Sequence, residues 1–419
     1  MANSILTPTM ITREALRVLH QKCNFLGNVN RQYDDKFAQT GAKVGTSVNV
    51  RMPSKYSVRT GATLTAQDHV ERSTPLTVSS QYGVDVSFTS VELTMNLDDF
   101  SERIIQPAMA QLAAHMESTC LSDAYKLVNN YTNASTDSLM TYKYFQQGGA
   151  NITKNLGGSG KRTTIMTPDS IVEFNDATKG LFHASSNVEK QYREGMMGRT
   201  GGFDIYENTL MPGHTTGSMA GTPLTTGAAL GTSTTANAWV SQTDIDIDGA
   251  TSGGTVTAGD ILTFAGVYDV HPESKLKTGK LKTFVVQDAE TVVTAGTVTV
   301  TVKPGLIYGT GNAYKNCVLS GVSDTDGLTV ARIGAASSAF GQDLQFHKDA
   351  FVFATADLED VSQYGAWGAR ESMDGISMRI ARQYAIGSDT VPCRIDILGG
   401  FAGLYPELAN RHMYETDLL

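Results

Sequence analysis

The hydrophobic positions change period several times along the chain, and each change marks an element. Ile11, Ala15, Val18, Leu19 and Cys23 recur at helical spacing and predict a short amphipathic N-terminal helix. So short a helix is marginal alone in water and needs another surface to cover it. In "SVNVRM" the period drops to two: Val48, Val50 and Met52 alternate with Ser47, Asn49 and Arg51, a half-buried strand that Pro53 ends. From Ser54 to Pro75 the chain is polar and charged, with few large apolar residues. Alternation resumes at Leu76, Val78, Tyr82, Val84, Val86 and Phe88. The pattern predicts a long two-stranded excursion with a polar tip, and because unsupported ribbons are marginal, a partner surface is expected to steady it.

The period then becomes 3.6. Leu97, Phe100, Ile104, Ala108, Leu112, Met116, Cys120 and Ala124 line one stripe, with Asp98, Asp99 and Glu102 in the first turns, where acidic groups suit the helix dipole. Such a helix of about 30 residues would span about 45 Å, longer than a compact domain requires. Pro107 is expected to kink it or to begin a new segment. Residues 161–215 alternate a strand, "RTTIMT", with a helix from Pro168 and a second strand, "FDIYENTLMP". Over 216–237 the composition turns to Thr, Gly, Ala and Ser, which marks a boundary. From there to about 322, short strands bounded by Gly or Pro predict a small inserted barrel or sandwich. Strands return at the end, where Ile376, Met378 and Ile380 alternate, then Cys393, Ile395 and Ile397.

Composition narrows the function more than the fold. The 419 residues are 41% hydrophobic and 18% charged, with 41 glycines, a balance that fits a strand-rich globular chain with many turns. A net charge of −9 argues against a broad basic grip on nucleic acid. No run of about 18 apolar residues occurs and the N-terminus lacks a secretory pattern, so no membrane partner is expected and the chain is expected to stay in a cytosol. Cys23, Cys120, Cys317 and Cys393 form no CxxC pair, which disfavours a zinc ribbon or a disulfide framework.

Two motifs invite chemistry. Asp244, Asp246, Asp248 and Gly249 in "TDIDIDGATSGGT" repeat the first half of a calcium loop, but position twelve is Thr255 and the flanks read as strands. The alternation of Ile245 and Ile247 with the aspartates instead predicts a half-exposed strand, its carboxylates solvated or forming an acidic contact surface. "NLGGSGKRTT" has glycines and a lysine like a phosphate-binding loop, yet Asn155 replaces the leading glycine, Arg162 stands in the Ser/Thr position, and the strand follows. The eight histidines are dispersed without ligand spacing, and no G-x-S-x-G occurs. No catalytic, cofactor or metal site is therefore assigned, and the chain is not expected to be an enzyme. Arg51, Arg59, Asp68, Glu71 and Arg72 lie on or beside the polar excursion, where mixed charges without a core suit pairing with another subunit.

The order of elements, with "LTPTMITREALRVL", "NVNRQYDDKFAQTGAKVGTSVNVRMP", "TAQDHVERSTPLTVSSQYGVDVSFTSVELTM", "GDILTFAGVYDVHPESK", "FVV" and "FHKDAFVFA", resembles the major capsid protein of tailed bacteriophages, of the Hong-Kong-97-type fold and its P-22-type branch with an inserted domain. The resemblance implies an α+β capsid fold: an N-terminal arm (1–43), an extended loop with flanking strands (44–90), a peripheral domain with a spine helix (91–149), an axial domain (150–220), an inserted barrel-like β domain (221–322), an axial return (323–345) and peripheral strands to the C-terminus (346–419). It implies self-assembly through hexamers and pentamers into an icosahedral shell that encloses double-stranded DNA without sequence-specific binding. Scaffolding protein and portal are the implied partners, the bacterial cytoplasm the implied place of assembly, and the virion the implied destination. The competing reading is a β-rich surface or adhesion protein, with the Thr- and Gly-rich middle as its binding module.

Overall fold

The computed structural model describes residues 12–17, 19, 23–31, 47–64, 66–67, 69–89, 106–133, 139–158, 160–178, 199–227, 238–293, 295–359, 361, 365, 367–373 and 376–415. The fold is α+β, and the chain divides into two compact units. One comprises Met1–Val50, Thr74–Leu121 and Phe351–Leu404; the other comprises Arg51–Ser73, Ser122–Ala350 and Tyr405–Leu419.

The first unit is organised by one long strand, Thr390–Gly403. One of its edges pairs antiparallel with Ser80–Thr89. Its other edge is shared by Ile376–Arg382 and Phe351–Ala356, and Trp367–Met373 pairs outside Ile376–Arg382. Cys393, Ile395 and Ile397 are buried, as their alternation predicts. Ser47–Met52 pairs with Arg72–Thr77 in a separate ribbon, burying Val50 and Met52.

Helix α1, Gln106–Leu127, carries the predicted stripe: Ala108, Leu112, Met116, Cys120 and Ala124 are buried. Its 22 residues span about 33 Å at 1.5 Å each. Pro107 sits at the second described helical position, and residues 101–105 before it lie outside the described residues. Leu97, Phe100, Ile104 and the acidic residues predicted for the first turns lie outside the described residues.

The N-terminal segment is covered as its amphipathic pattern requires. Ala15, Leu16, Leu19 and Cys23 are buried, and the Phe25 ring lies 5.9 Å from Phe351 and 6.0 Å from Phe401. Asn30 exchanges backbone hydrogen bonds of 3.1 Å each with Phe351 and Phe353, adding a short bridge to the sheet edge. Glu117 of α1 fastens the same segment, its carboxylate accepting the Phe25 backbone N–H. Burial outweighs this and a second backbone donor at Asn24, and pushes the carboxyl up to about 7.

The second unit holds two seven-stranded sheets. In one, Ala339–His347 is central, antiparallel to both Ala409–Glu415 and Arg162–Met166. Arg162–Met166 leads through helix α3, Pro168–Thr178, towards the parallel strand Phe203–Glu207, the mixed α/β arrangement predicted for 161–215. Helix α2, Tyr142–Lys154, starts at Thr141, whose side chain accepts the Tyr144 N–H. With α3 it covers a core of Met140, Phe145, Ile152, Met166, Phe174 and Phe203. Asp343, wholly buried in the central strand, accepts the Thr167 N–H at 2.8 Å and the Ser170 hydroxyl at 2.6 Å, so it caps α3 from the sheet.

The other sheet runs in the order Cys317–Leu319, Ile261–Val270, Lys277–Val286, Val298–Lys303, Thr243–Ala250, Gly221–Thr226. Val330–Arg332 also pairs with Ile261–Val270, eight or more residues beyond the predicted end at 322. The sheet's two ends approach each other: Leu224 bridges Thr329, and the Thr225 N–H donates to Leu328 O at 2.9 Å. "FHKDAFVFA" divides into the end of Ala339–His347, a turn of 3-10 helix at Lys348–Ala350, and the start of Phe351–Ala356.

Glu117 supplies a test. A carboxyl whose folded pKa is raised contributes stability that is complete below the unfolded value near 4.5 and is lost as pH rises through about 7. The expected loss is on the order of 3 kcal/mol at most. Thermal melting from pH 4.5 to 7.5 should show wild type weakening across this window and Glu117→Gln weakening less.

Candidate assembly interface

The second unit includes the excursion between Met52 and Arg72, and among the described residues no ladder joins its two limbs. Side chains close it instead. Ser54 Oγ donates to Val70 O at 3.0 Å, and Gln67 exchanges hydrogen bonds of 2.8 and 2.6 Å with the Ser57 backbone. Tyr56 Oη lies 3.0 Å from His69 Nδ1, with the rings stacked. Beyond these ties the loop buries little: Tyr56, Val58 and Leu64 are 61%, 97% and 81% exposed. The tip is therefore not simply polar. Two aliphatic side chains stand in water on a segment with no core beneath them.

The predicted contact residues part company here. Arg51 and Glu71 face each other at 3.7 Å, both largely exposed, and His69 lies 3.8 Å from the same carboxylate. Such surface pairs are worth about 0–1 kcal/mol and leave the charges open to other partners. Arg59 is exposed and donates to the carbonyl of Gly61 nearby. Asp68 lies outside the described residues.

Arg72, expected to pair with another subunit, is buried within its own chain. Its Nη2 donates to Pro53 O at 3.1 Å, and its guanidinium lies 5.3 Å from the Tyr314 ring and 6.0 Å from the Trp239 ring. Tyr314 completes the join, accepting the Lys55 N–H at 3.1 Å and donating to Val70 O at 2.9 Å. The loop base is thus fixed to aromatic residues far along the chain, a contact that periodicity cannot show.

The acidic motif is a strand, as its alternation predicts. Ile245 and Ile247 are buried in the sheet core while Asp244 and Asp246 are exposed and Asp248 is half-buried. Across the ladder, Thr301 Oγ1 donates to Asp244 at 2.7 Å and Thr299 Oγ1 to Asp246 at 2.6 Å. Gly249 has φ +66 at a register shift between Asp248 and Ala250, and a Cβ there would meet Thr222 O at 2.6 Å. Both features that mimic a calcium loop have β-sheet causes: alternation spaces the carboxylates, and a bulge demands the glycine. No group of three metal-ligating side chains occurs among the described residues.

In the glycine-rich turn after α2, Arg162 donates to Gly158 O at 3.2 and 3.0 Å. Its guanidinium meets loop carbonyls, where a phosphate site would present amides. All four cysteines are free and buried, and burial pushes Cys23 and Cys317 up to about 12. Among the described residues no helix is long and apolar enough to cross a membrane.

The family model described as P22 coat protein, gene protein 5, matches residues 3–414. No curated protein matches the chain. Among solved structures, a chain from Mycobacterium phage Che8 is similar at 11% identity and a TM-score of 0.46, covering 93% of this chain and 90% of that one. A chain of the mature capsid of bacteriophage PhiM1 aligns at 9% identity and a TM-score of 0.43, covering 88% and 82%. The CUS-3 coat protein I-domain aligns at 21% identity and a TM-score of 0.20, covering 27% of this chain and 96% of that one.

The two arginines should separate in urea unfolding. Arg72→Glu places a carboxylate in an aromatic recess and should destabilise the free chain by about 3 kcal/mol, whereas Arg59→Glu should stay within about 0.5 kcal/mol. Calcium at millimolar concentration should leave the melting temperature unchanged, and a saturable rise that Asp244→Asn abolishes would restore the metal reading.

Proposed function

The chain belongs to the P22 coat protein family, a major capsid protein that forms the shell of a tailed bacteriophage and not an enzyme, and from that premise we propose how its surfaces meet other copies. The extended loop is completed by a neighbouring subunit, which covers Tyr56, Val58 and Leu64. The observation that carries this reading is the exposure of Val58 and Leu64, 97% and 81%, on a segment whose described residues form no ladder or core of their own. Covering an aliphatic side chain fully is worth about 1.5–3 kcal/mol. A few such contacts, repeated around a closed shell, give a stable whole from individually reversible parts.

Around that contact, Arg51, Arg59, Asp68 and Glu71 set register by charge, and Asp244, Asp246 and Asp248 offer an acidic strand to basic groups of an adjacent subunit. Arg72 contributes from within, by holding the loop base in place. The sheet from Gly221 to Arg332 serves as the inserted domain of a Hong-Kong-97-type subunit. The meeting of Leu224 with Thr329 supports a barrel-like closure. Hexamers and pentamers, an icosahedral shell, a scaffolding protein, a portal and assembly in the bacterial cytoplasm complete the proposal. DNA is enclosed without sequence-specific contact, in keeping with a net charge of −9. The adhesion reading is not favoured by the family assignment.

Val58→Asp with Leu64→Asp tests the loop. The double variant should keep the wild-type melting temperature and circular dichroism as free chain yet yield few closed shells by electron microscopy. Shells at wild-type yield and size would refute a loop covered by its neighbour.

A further inference from the structure

The second unit gathers four lysines around Arg72, and the interface reading leaves the lysines unused. Tyr314 and Lys315 are the hub of the group. Tyr314 carries the Arg72 guanidinium against its ring and accepts the backbone N–H of Lys55 on its hydroxyl. Lys315 supplies the carbonyl that accepts Lys275 Nζ at 3.1 Å. Lys275 is set by backbone as well: it has φ +57, and hydrogen bonds between His271 O and Lys275 N, and between His271 N and Leu276 O, close its turn. Lys282 stands on the adjoining hairpin, paired with Asp269 at 2.7 Å, and Asp269 lies opposite Cys317 in the ladder.

Asp269 is committed to Lys282; Glu273 and Glu407 act on Lys55. Burial first, and then the like charges of Lys55, Arg72, Lys282 and Lys315, bring the Lys275 ammonium down to about 8. Arg72 also leaves a donor unused: its side chain is more than nine-tenths buried, yet its Nε has no hydrogen-bond partner. A buried orphan donor costs about 1–3 kcal/mol, more when charged. Lys55 is exposed and Lys275 and Lys315 are half-buried, so an ion can enter from solvent.

We propose that Lys55, Arg72, Lys275, Lys282 and Lys315 form a binding site for a compact oxyanion of the phosphate or sulfate type, which ties the base of the extended loop to the inserted sheet. Such an ion offers several acceptor oxygens to donors that diverge from one another, and its charge offsets the mutual repulsion of the lysines. Arg72 and Lys55 belong to the loop base, whereas Lys275, Lys282 and Lys315 belong to segments of the inserted sheet. Binding therefore stiffens the join on which the loop's direction depends.

Inorganic phosphate is the probe, titrated into purified unassembled full-length chain with sodium chloride at matched ionic strength as control. Phosphate should raise the melting temperature saturably beyond the chloride control. Lys275→Gln and Lys315→Gln should each weaken the apparent affinity about tenfold, the loss of roughly one charge-assisted hydrogen bond. Asp244→Asn, on a different strand, should leave it unchanged. A phosphate effect no larger than that of chloride, or full affinity retained in Lys275→Gln, overturns the site; should that variant fail to fold, Lys315→Gln decides in the same way. Because the chain is unassembled, the result does not depend on whether the loop is covered in a shell.

Discussion

One buried guanidinium fixes the direction of an element that cannot fix itself. The segment between Met52 and Arg72 has neither a ladder nor a core, and loop ends tied only by surface hydrogen bonds explore many directions. Arg72 removes that freedom at the base, where it lies against Trp239 and Tyr314 while Tyr314 holds Lys55 and Val70. Among the described residues the charge meets no carboxylate in a salt bridge. It works through aromatic faces and a backbone carbonyl, partners suited to the weakly hydrated arginine head group and not to a lysine.

The same economy of partners recurs with the buried carboxylates. Asp343 and Glu117 each hold a distant segment by accepting backbone or hydroxyl donors, and burial pushes both up to about 7. A fully ionised, well-solvated carboxylate would give a stronger acceptor but would not remain buried. These positions thus combine packing with polar specificity: Asp343 reaches Thr167 and Ser170 at the start of α3, and Glu117 reaches the turn that carries Phe25. Each joins residues that are close in space and more than 90 positions apart in sequence.

That separation explains what was legible beforehand. Local periodicity placed the α1 stripe, the half-buried strand at Val50 and Met52, and the alternation of Ile245 and Ile247, because each pattern reports which face is covered and needs no knowledge of the cover. It failed where a long-range partner decides. Arg72 reads as one more charge on a polar loop until Trp239 and Tyr314 are brought beside it. Arg411, in a strand that looks ordinary by composition, is wholly buried, with Nη2 bonded to Gly259 O and the Tyr125 ring 5.9 Å away. Val58 and Leu64 were passed over for the opposite reason: two isolated aliphatics in a polar stretch carry no period, so only their exposure distinguishes them.

A subunit that must join others reversibly faces a conflict between holding its contact elements rigid and leaving them uncovered. Preorganisation lowers the entropy lost on association, so a rigid loop needs fewer contacts for the same affinity. Rigidity through the loop's own core would hide the side chains intended for a neighbour. Here the fastening is concentrated towards the base, at Pro53, Lys55, Val70 and Arg72 with the ties of Ser57 to Gln67 and of Tyr56 to His69 beyond them, and Val58 and Leu64 are left open. On the proposed reading, separating the two tasks along one loop lets the base be strengthened without adding to the contact, and lets the contact stay weak enough to break and re-form while a closed assembly is corrected.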